Sequence, residues 1–254
     1  LGGGVSNTVV LVEPAAAGRF VVKQALPRLR VRDEWLAERS RIFRERDGLI
    51  ESARLLPAGA VPAVLWSDEG NFLYAMEAAP GAARSWKEHL LDGDLRHEYA
   101  EQAGRALGLT VARSWADPLL AERFGNQRAF GQLRTDPYYR EIARRHPSIA
   151  PAVDAWIAQV EPLRLALTHG DWSPKNMLLV IDYECLHFGD PAYDLAFCLN
   201  HLALKAFHRP DRAEGFAGLA AAFRAAAAAE WEKLDRAVLE GRAARHLALL
   251  LLAR

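Results

Sequence analysis

The chain has 254 residues, 51% of them hydrophobic, and its 32 Lys and Arg balance 32 Asp and Glu. That content suffices for one large domain or two lobes around a buried core. The balanced charge supplies no basic field for nucleic acid or an anionic membrane, and no acidic field for a polycation.

Two cysteines occur, Cys185 and Cys198, both in apolar stretches, and neither a signal-peptide pattern nor an 18-residue uncharged span is read. A reducing, cytoplasmic home without a disulfide is expected. The chain opens at Leu1 and closes on an apolar helical run, so the protein is expected to extend past both ends.

Four strand-like runs lie between Leu1 and about Ala78: V-S-N-T-V-V-L-V, R-F-V-V-K, V-P-A-V-L-W and N-F-L-Y-A-M-E. One helical pattern interrupts them at Asp33–Ala53, where Trp35, Leu36, Ile42, Phe43, Leu49 and Ile50 recur at helical spacing. After the turn A-A-P-G-A at 78–82, Ala, Leu and Trp recur in helical periods. These are Trp86–Leu91, Leu95–Leu109, Pro151–Val160, Pro191–Lys205 and one Ala-rich stretch, Glu214–Ala253. The pattern predicts an α+β protein of two lobes. Residues 1–79 form a small antiparallel sheet with one main helix, residues 80–254 a larger helical lobe, and a ligand cleft lies between them.

The most informative stretch is Leu167–Ala196, which reads T-H-G-D-W-S-P-K-N, then I-D-Y-E, then G-D-P-A-Y-D-L-A. Asp171 follows a short apolar stretch and starts a Pro-containing loop, so it is placed to orient or deprotonate an attacking hydroxyl. The structural alternative is an aspartate capping the turn Trp172–Pro174. Asn176 and Asp182 add the hard oxygen donors that Mg²⁺ takes alongside phosphates. Asp190, before Pro191, reads as a helix cap, and Asp194 as a first-turn residue able to hold the amides of the loop that begins at His169. The apolar run M-L-L-V-I between the metal-ligand candidates lacks the turn chemistry a hairpin needs. Several more residues are therefore expected between Val180 and Ile181.

In the first lobe, glycines including Gly3 and Gly4 precede Ser6 and Asn7, a pattern that brings backbone and side-chain donors to phosphate oxygens. A linker is the bland alternative. Lys23 closes the run F-V-V-K and could bind the α- and β-phosphates, with Glu45 on the next helix orienting it. Most Lys–Glu pairs are surface decoration, and here the order of the parts carries the reading. No H-E-x-x-H, Cys/His zinc spacing, G-x-S-x-G elbow or Walker lysine is present. The tryptophans read as core except Trp172, inside the loop, which is expected to border the acceptor.

With those residues in place, the chain resembles the aminoglycoside phosphotransferase and choline kinase superfamily, small-molecule kinases of protein kinase-like fold, over nearly its whole length. The resemblance rests on H-G-D-x-x-x-x-N, I-D-x-E and G-D-P-x-x-D-L-A. It implies ATP or GTP clamped between the lobes, adenine bonded to backbone near Glu77–Ala79, Lys23 paired with Glu45, Asp171 catalytic, and Asn176 with Asp182 on Mg²⁺. It also places Lys175 among the nucleotide contacts and Glu184 near metal or acceptor. Gly170 stands where protein kinases have Arg, and Lys175 lies four residues past the aspartate, not two. Only eight residues separate Asp182 from Asp190, too few for an activation segment. A small hydroxyl acceptor, polar or cationic, is therefore expected, with no protein, nucleic-acid or membrane partner. A nucleotide-binding pseudokinase is the alternative.

Overall fold

The computed structural model describes residues 7–253 except 16–17, 29, 31–37, 82 and 178. Four strands, β1 (Asn7–Val12), β2 (Phe20–Ala25), β3 (Val64–Asp68) and β4 (Leu73–Glu77), form one antiparallel sheet in the order β1-β2-β4-β3. Alternation along β2 turns Val21, Lys23 and Ala25 to the buried face. Lys23 is thus carried inward by strand geometry, opposite Tyr74 of β4.

Helix α1 (Arg41–Leu55) packs beneath that face and buries Ile42, Glu45, Leu49 and Ser52, which recur at helical spacing. The expected helix over Asp33–Ala53 is corrected at both ends. Glu38–Ser40 are not helical, and residues 31–37, with Trp35 and Leu36, lie outside the described residues. The end falls at Leu55 because Leu56 is extended (φ −109°, ψ 159°), the conformation that the following Pro57 favours.

The larger lobe begins with α2 (Trp86–Leu91), started by a capping box in which the Ser85 hydroxyl and the Glu88 side chain satisfy each other's backbone amides. Helix α3 (His97–Ser114) follows. The stretch expected as one Ala-rich helix is two, α9 (Ala213–Ala229) and α10 (Arg236–Leu252). Trp231 buries its ring in the break, and the Asp235 carboxylate caps α10 by accepting from Val238 N at 3.1 Å. Helices α3 and α9 touch backbone to backbone. A Cβ at Gly104 would lie 2.2 Å from Phe223 O, and one at Gly108 2.5 Å from Ala227 O.

Between α3 and the loop that begins at His169 run elements that the periodicity does not reveal: α4 (Pro118–Phe124), α5 (Arg128–Phe130), a π-type helix over Gly131–Arg140 and α6 (Glu141–Arg145). Helix α7 (Ala150–Val160) then leads to a two-stranded ladder of β5 (Ala166–Thr168) and β6 (His187–Gly189), and α8 (Ala192–His208) follows. The apolar run at 177–181, weighed above as part of a hairpin, shows no strand among its described residues. Residues 177, 179 and 180 lie in turns, and Ile181 N donates to Asn176 O at 3.4 Å. Asp182 closes the connection with a left-handed backbone (φ 70°). Among the described residues, no helix is long and apolar enough to cross a membrane.

Candidate active site

The site lies where β2, α1 and the loop after β5 converge. Lys23 Nζ stands 2.5 Å from Glu45 Oε1 and 2.8 Å from Asp182 Oδ1. Burial opposes the ammonium charge, but the carboxylates of Asp182 and Glu45 outweigh it and hold Lys23 well above its usual range. Burial pushes Glu45 up to about 7, against the pull of Lys23. Asp182 goes the other way. Burial would raise it, yet Lys23 and Lys175 keep it well below the usual carboxylate range.

Asp171 is 3% exposed. Its Oδ2 receives Lys175 Nζ at 2.7 Å and Arg134 Nη2 at 3.0 Å, and its Oδ1 accepts from Ser173 Oγ at 3.4 Å. Against its burial, Arg134 and then Lys175 hold the carboxyl below its ordinary value. Lys175 also stands 3.6 Å from Asp182 Oδ2, so one ammonium spans both carboxylates.

The loop is fixed from behind. Asp194 turns inward from the first turn of α8, and its oxygens accept from His169 N at 2.6 Å and Gly170 N at 2.8 Å. Burial raises the Asp194 carboxyl to about 7 despite those bonds. Buried His169, lowered to about 4 by its desolvation, is neutral at pH 7. Its Nδ1 accepts from Asp171 N at 3.1 Å and its Nε2–H donates to Ile181 O at 3.0 Å. Gly170 has φ 78°, and a Cβ there would meet Cys185 Cβ at 2.7 Å, so both backbone and space exclude a side chain. Asp190 accepts from Ala192 N at 3.2 Å at the start of α8 and pairs with Arg242 at 2.9 Å.

Asn176 donates its amide nitrogen to Asp171 O at 3.0 Å, which leaves its carbonyl oxygen as the donor for a cation. That oxygen and the Asp182 carboxylate are hard donors of the kind Mg²⁺ takes. Among the described residues, no group of three or more His, Cys, Asp or Glu could hold a metal.

Other sequence-predicted residues fall elsewhere. Trp172 is fully buried edge-on to His169 and offers no surface to an acceptor, a correction caused by the loop folding inward. Glu184 is buried beneath the small lobe, accepting from Arg41 Nε at 3.3 Å and Asn7 Nδ2 at 3.4 Å. Asn7 thereby engages Glu184. Glu77 is exposed and accepts from Ala63 N at 3.1 Å, while Ala79 O receives Arg19 Nη2 at 3.5 Å. Gly3, Gly4 and Ser6 lie outside the described residues. Arg134, Arg41 and Ser173 were not singled out in the sequence. Arg134 sits 36 residues before Gly170, and no local spacing links the two.

Three solved structures are similar to the chain. An ethanolamine kinase from Plasmodium vivax is 14% identical with a TM-score of 0.50, over 98% of this chain and 80% of that one. A choline/ethanolamine kinase family protein from Mesorhizobium loti is 17% identical, with a TM-score of 0.48 over 99% and 90% of the two chains. A macrolide 2′-phosphotransferase from Brachybacterium faecium is 20% identical, with a TM-score of 0.46 over 92% and 91%. No curated protein matches the sequence. At 14% identity the likeness to the ethanolamine kinase shows the fold alone, a kinase-like α+β architecture with a small antiparallel sheet and several helices. The model of the phosphotransferase enzyme family matches residues 1–237, and the chain belongs to that family.

Proposed function

We propose that the chain transfers the γ-phosphate of Mg-ATP to a hydroxyl group of a small molecule. The observation that carries this reading is the bridging of Asp171 and Asp182 by Lys175 Nζ, at 2.7 and 3.6 Å, with Lys23 closing on Asp182 from the other lobe. Two cations and two carboxylates surround one point in the cleft, where a polyanion and an attacking hydroxyl can be held together.

Each group has a part. Lys23, oriented by Glu45, contacts phosphate oxygens, and Lys175 follows the transferring group. Asn176 and Asp182 would hold Mg²⁺, which would supply charge neutralisation to the phosphates when bound. Asp171 orients the hydroxyl through Oδ1. As the acceptor oxygen bonds to the γ-phosphorus and the bond to the β-phosphate oxygen breaks, the hydroxyl proton passes to the Asp171 carboxylate, leaving ADP and a phosphate monoester. Because its flanking cations make Asp171 a weak base, it accepts that proton late, which suits a loose transition state. The absence of an activation segment between Asp182 and Asp190 favours a small acceptor over a protein.

The test is ADP release from Mg-ATP with a panel of aminoglycosides, choline, amino alcohols, sugars and nucleosides. Acceptor-stimulated turnover supports the reading. Tight nucleotide binding with no ADP formed under any condition would identify a nucleotide-binding pseudokinase instead.

A further inference from the structure

Among the described residues, Arg134 is the one outside the loop at His169–Asn176 that holds both a peptide group and the Asp171 carboxylate of that loop. Its Nε donates to Gly170 O at 2.6 Å, its Nη2 meets Asp171 Oδ2 at 3.0 Å, and its Nη1 donates to Leu133 O at 2.7 Å. The guanidinium lies 5.6 Å over the Phe197 ring, with its side chain 10% exposed. Burying such a charge is very costly unless it is paired and fully bonded, and Asp171 supplies the pair. The π-type helix that carries Arg134 is wound more widely than an α-helix, a distortion that is frequent at functional sites.

The two cations on Asp171 differ in kind. Lys175 is a flexible point charge with its side chain 48% exposed. Arg134 is planar and enclosed, which fixes direction as well as charge. Oδ2 is saturated by the pair, while Oδ1 has only the Ser173 hydroxyl at 3.4 Å. The carboxylate is therefore asymmetric, with one oxygen occupied and one presented.

We propose that Arg134 is the positioning residue of the transfer, clamping Asp171 through Oδ2 and the Gly170 carbonyl so that Oδ1 alone addresses the acceptor hydroxyl. This rests on the reading of Asp171 as the group that meets that hydroxyl. Lys175 is then free to leave Oδ2 and accompany the phosphoryl group, because Arg134 keeps the carboxylate oriented.

The experiment compares wild type, Arg134→Gln, Arg134→Lys and Asp171→Ala in Mg-ATP hydrolysis with water as acceptor, across pH 4.5 to 9. Affinity for a fluorescent ATP analogue is measured in parallel. Arg134→Gln should lower kcat about ten- to hundred-fold, the scale of a misplaced reacting group, with nucleotide affinity nearly unchanged. Its acid limb should move to higher pH, because the clamp's charge is gone. Arg134→Lys, which keeps the charge but loses the fork, should lower kcat with the acid limb held near wild type. A folded Arg134→Gln with wild-type kcat, or with kcat lowered equally at every pH, overturns the proposal. If neither variant folds, a crystal structure of the wild type with a non-hydrolysable ATP analogue decides, and an Asp171 carboxylate turned away from Arg134 overturns it. Wild-type turnover in Asp171→Ala would instead sink the reading of Asp171 itself, a separate outcome.

Discussion

Lys23 Nζ reaches Asp182 Oδ1 at 2.8 Å, joining a strand of the small lobe directly to a loop of the helical lobe. The same ammonium is 2.5 Å from Glu45 Oε1, so one buried cation serves two carboxylates from separate elements.

Lys23→Ala should therefore weaken both stability and nucleotide handling. Removing one partner of a buried pair costs roughly 3–5 kcal/mol, and the lower part of that range is expected because Asp182 keeps Lys175 at 3.6 Å. Thermal melting and the KM for ATP measure the two effects. Adding Glu45→Lys to Lys23→Glu should not restore turnover, since the charge must project from β2. Unchanged ATP kinetics in Lys23→Ala would show that this lobe does not contact the phosphates.

The pH dependence of stability should be nearly flat between about 4.5 and 6.5. Burial raises Glu45 and Asp194 to about 7, so the native chain keeps protons the unfolded chain releases, and stability falls as pH rises through this window. Burial lowers His169 and His187 to about 4, so the unfolded chain binds protons the native chain does not, and stability rises. Two groups oppose two. Glu45→Gln removes one falling contribution and should tilt the profile upward by about 1.4 kcal/mol per pH unit, read by urea unfolding at pH 5 and 6.5. A downward slope in that variant would reverse the assignment.

Asp194→Ala leaves the amides of His169 and Gly170 buried without their acceptors. Each such loss costs about 1–3 kcal/mol, and the loop should lose its geometry, so both melting temperature and turnover should drop sharply. Asp194→Asn, which keeps one acceptor, should fall between. A variant that melts like wild type would show that the loop is held by other contacts.

Gly104→Ala offers a test with an unusual sign. In an isolated helix this change stabilises by about 1 kcal/mol, but here the new methyl would sit 2.2 Å from Phe223 O, a backbone atom of α9. The variant should be less stable than wild type by chemical denaturation. A gain would mean that α3 and α9 separate readily.

Much of the site was legible because its signals are local. The spacing from Asp171 through Asn176 to Asp182 lies in one short segment, and strand alternation alone turns Lys23 inward. Helix α2 forms over Trp86–Leu91 as its helical period predicts, and the structure adds the capping box of Ser85 and Glu88 that starts it. What escaped was long-range or masked by composition. The Ala-rich run hid the break at Trp231 because alanine favours helix everywhere, and only tertiary burial of that ring decides where the helix stops. Arg134 escaped because its role depends on a π-type turn that carries Pro137 within it, and no 3.6-residue period announces such a turn. Trp172 was misplaced because an aromatic residue in a loop gives no sign of which way the loop folds.

The left-handed backbone at Asp182 narrows what evolution can try there. Glycine would relax φ 70° but bring no oxygen, and glutamate would bring a carboxylate on a side chain that suits this conformation less well. Short Asp and Asn side chains tolerate it, and only Asp keeps the charge that Lys23 meets at 2.8 Å. Conformation and charge thus constrain the same position independently, and of the twenty side chains aspartate alone meets both.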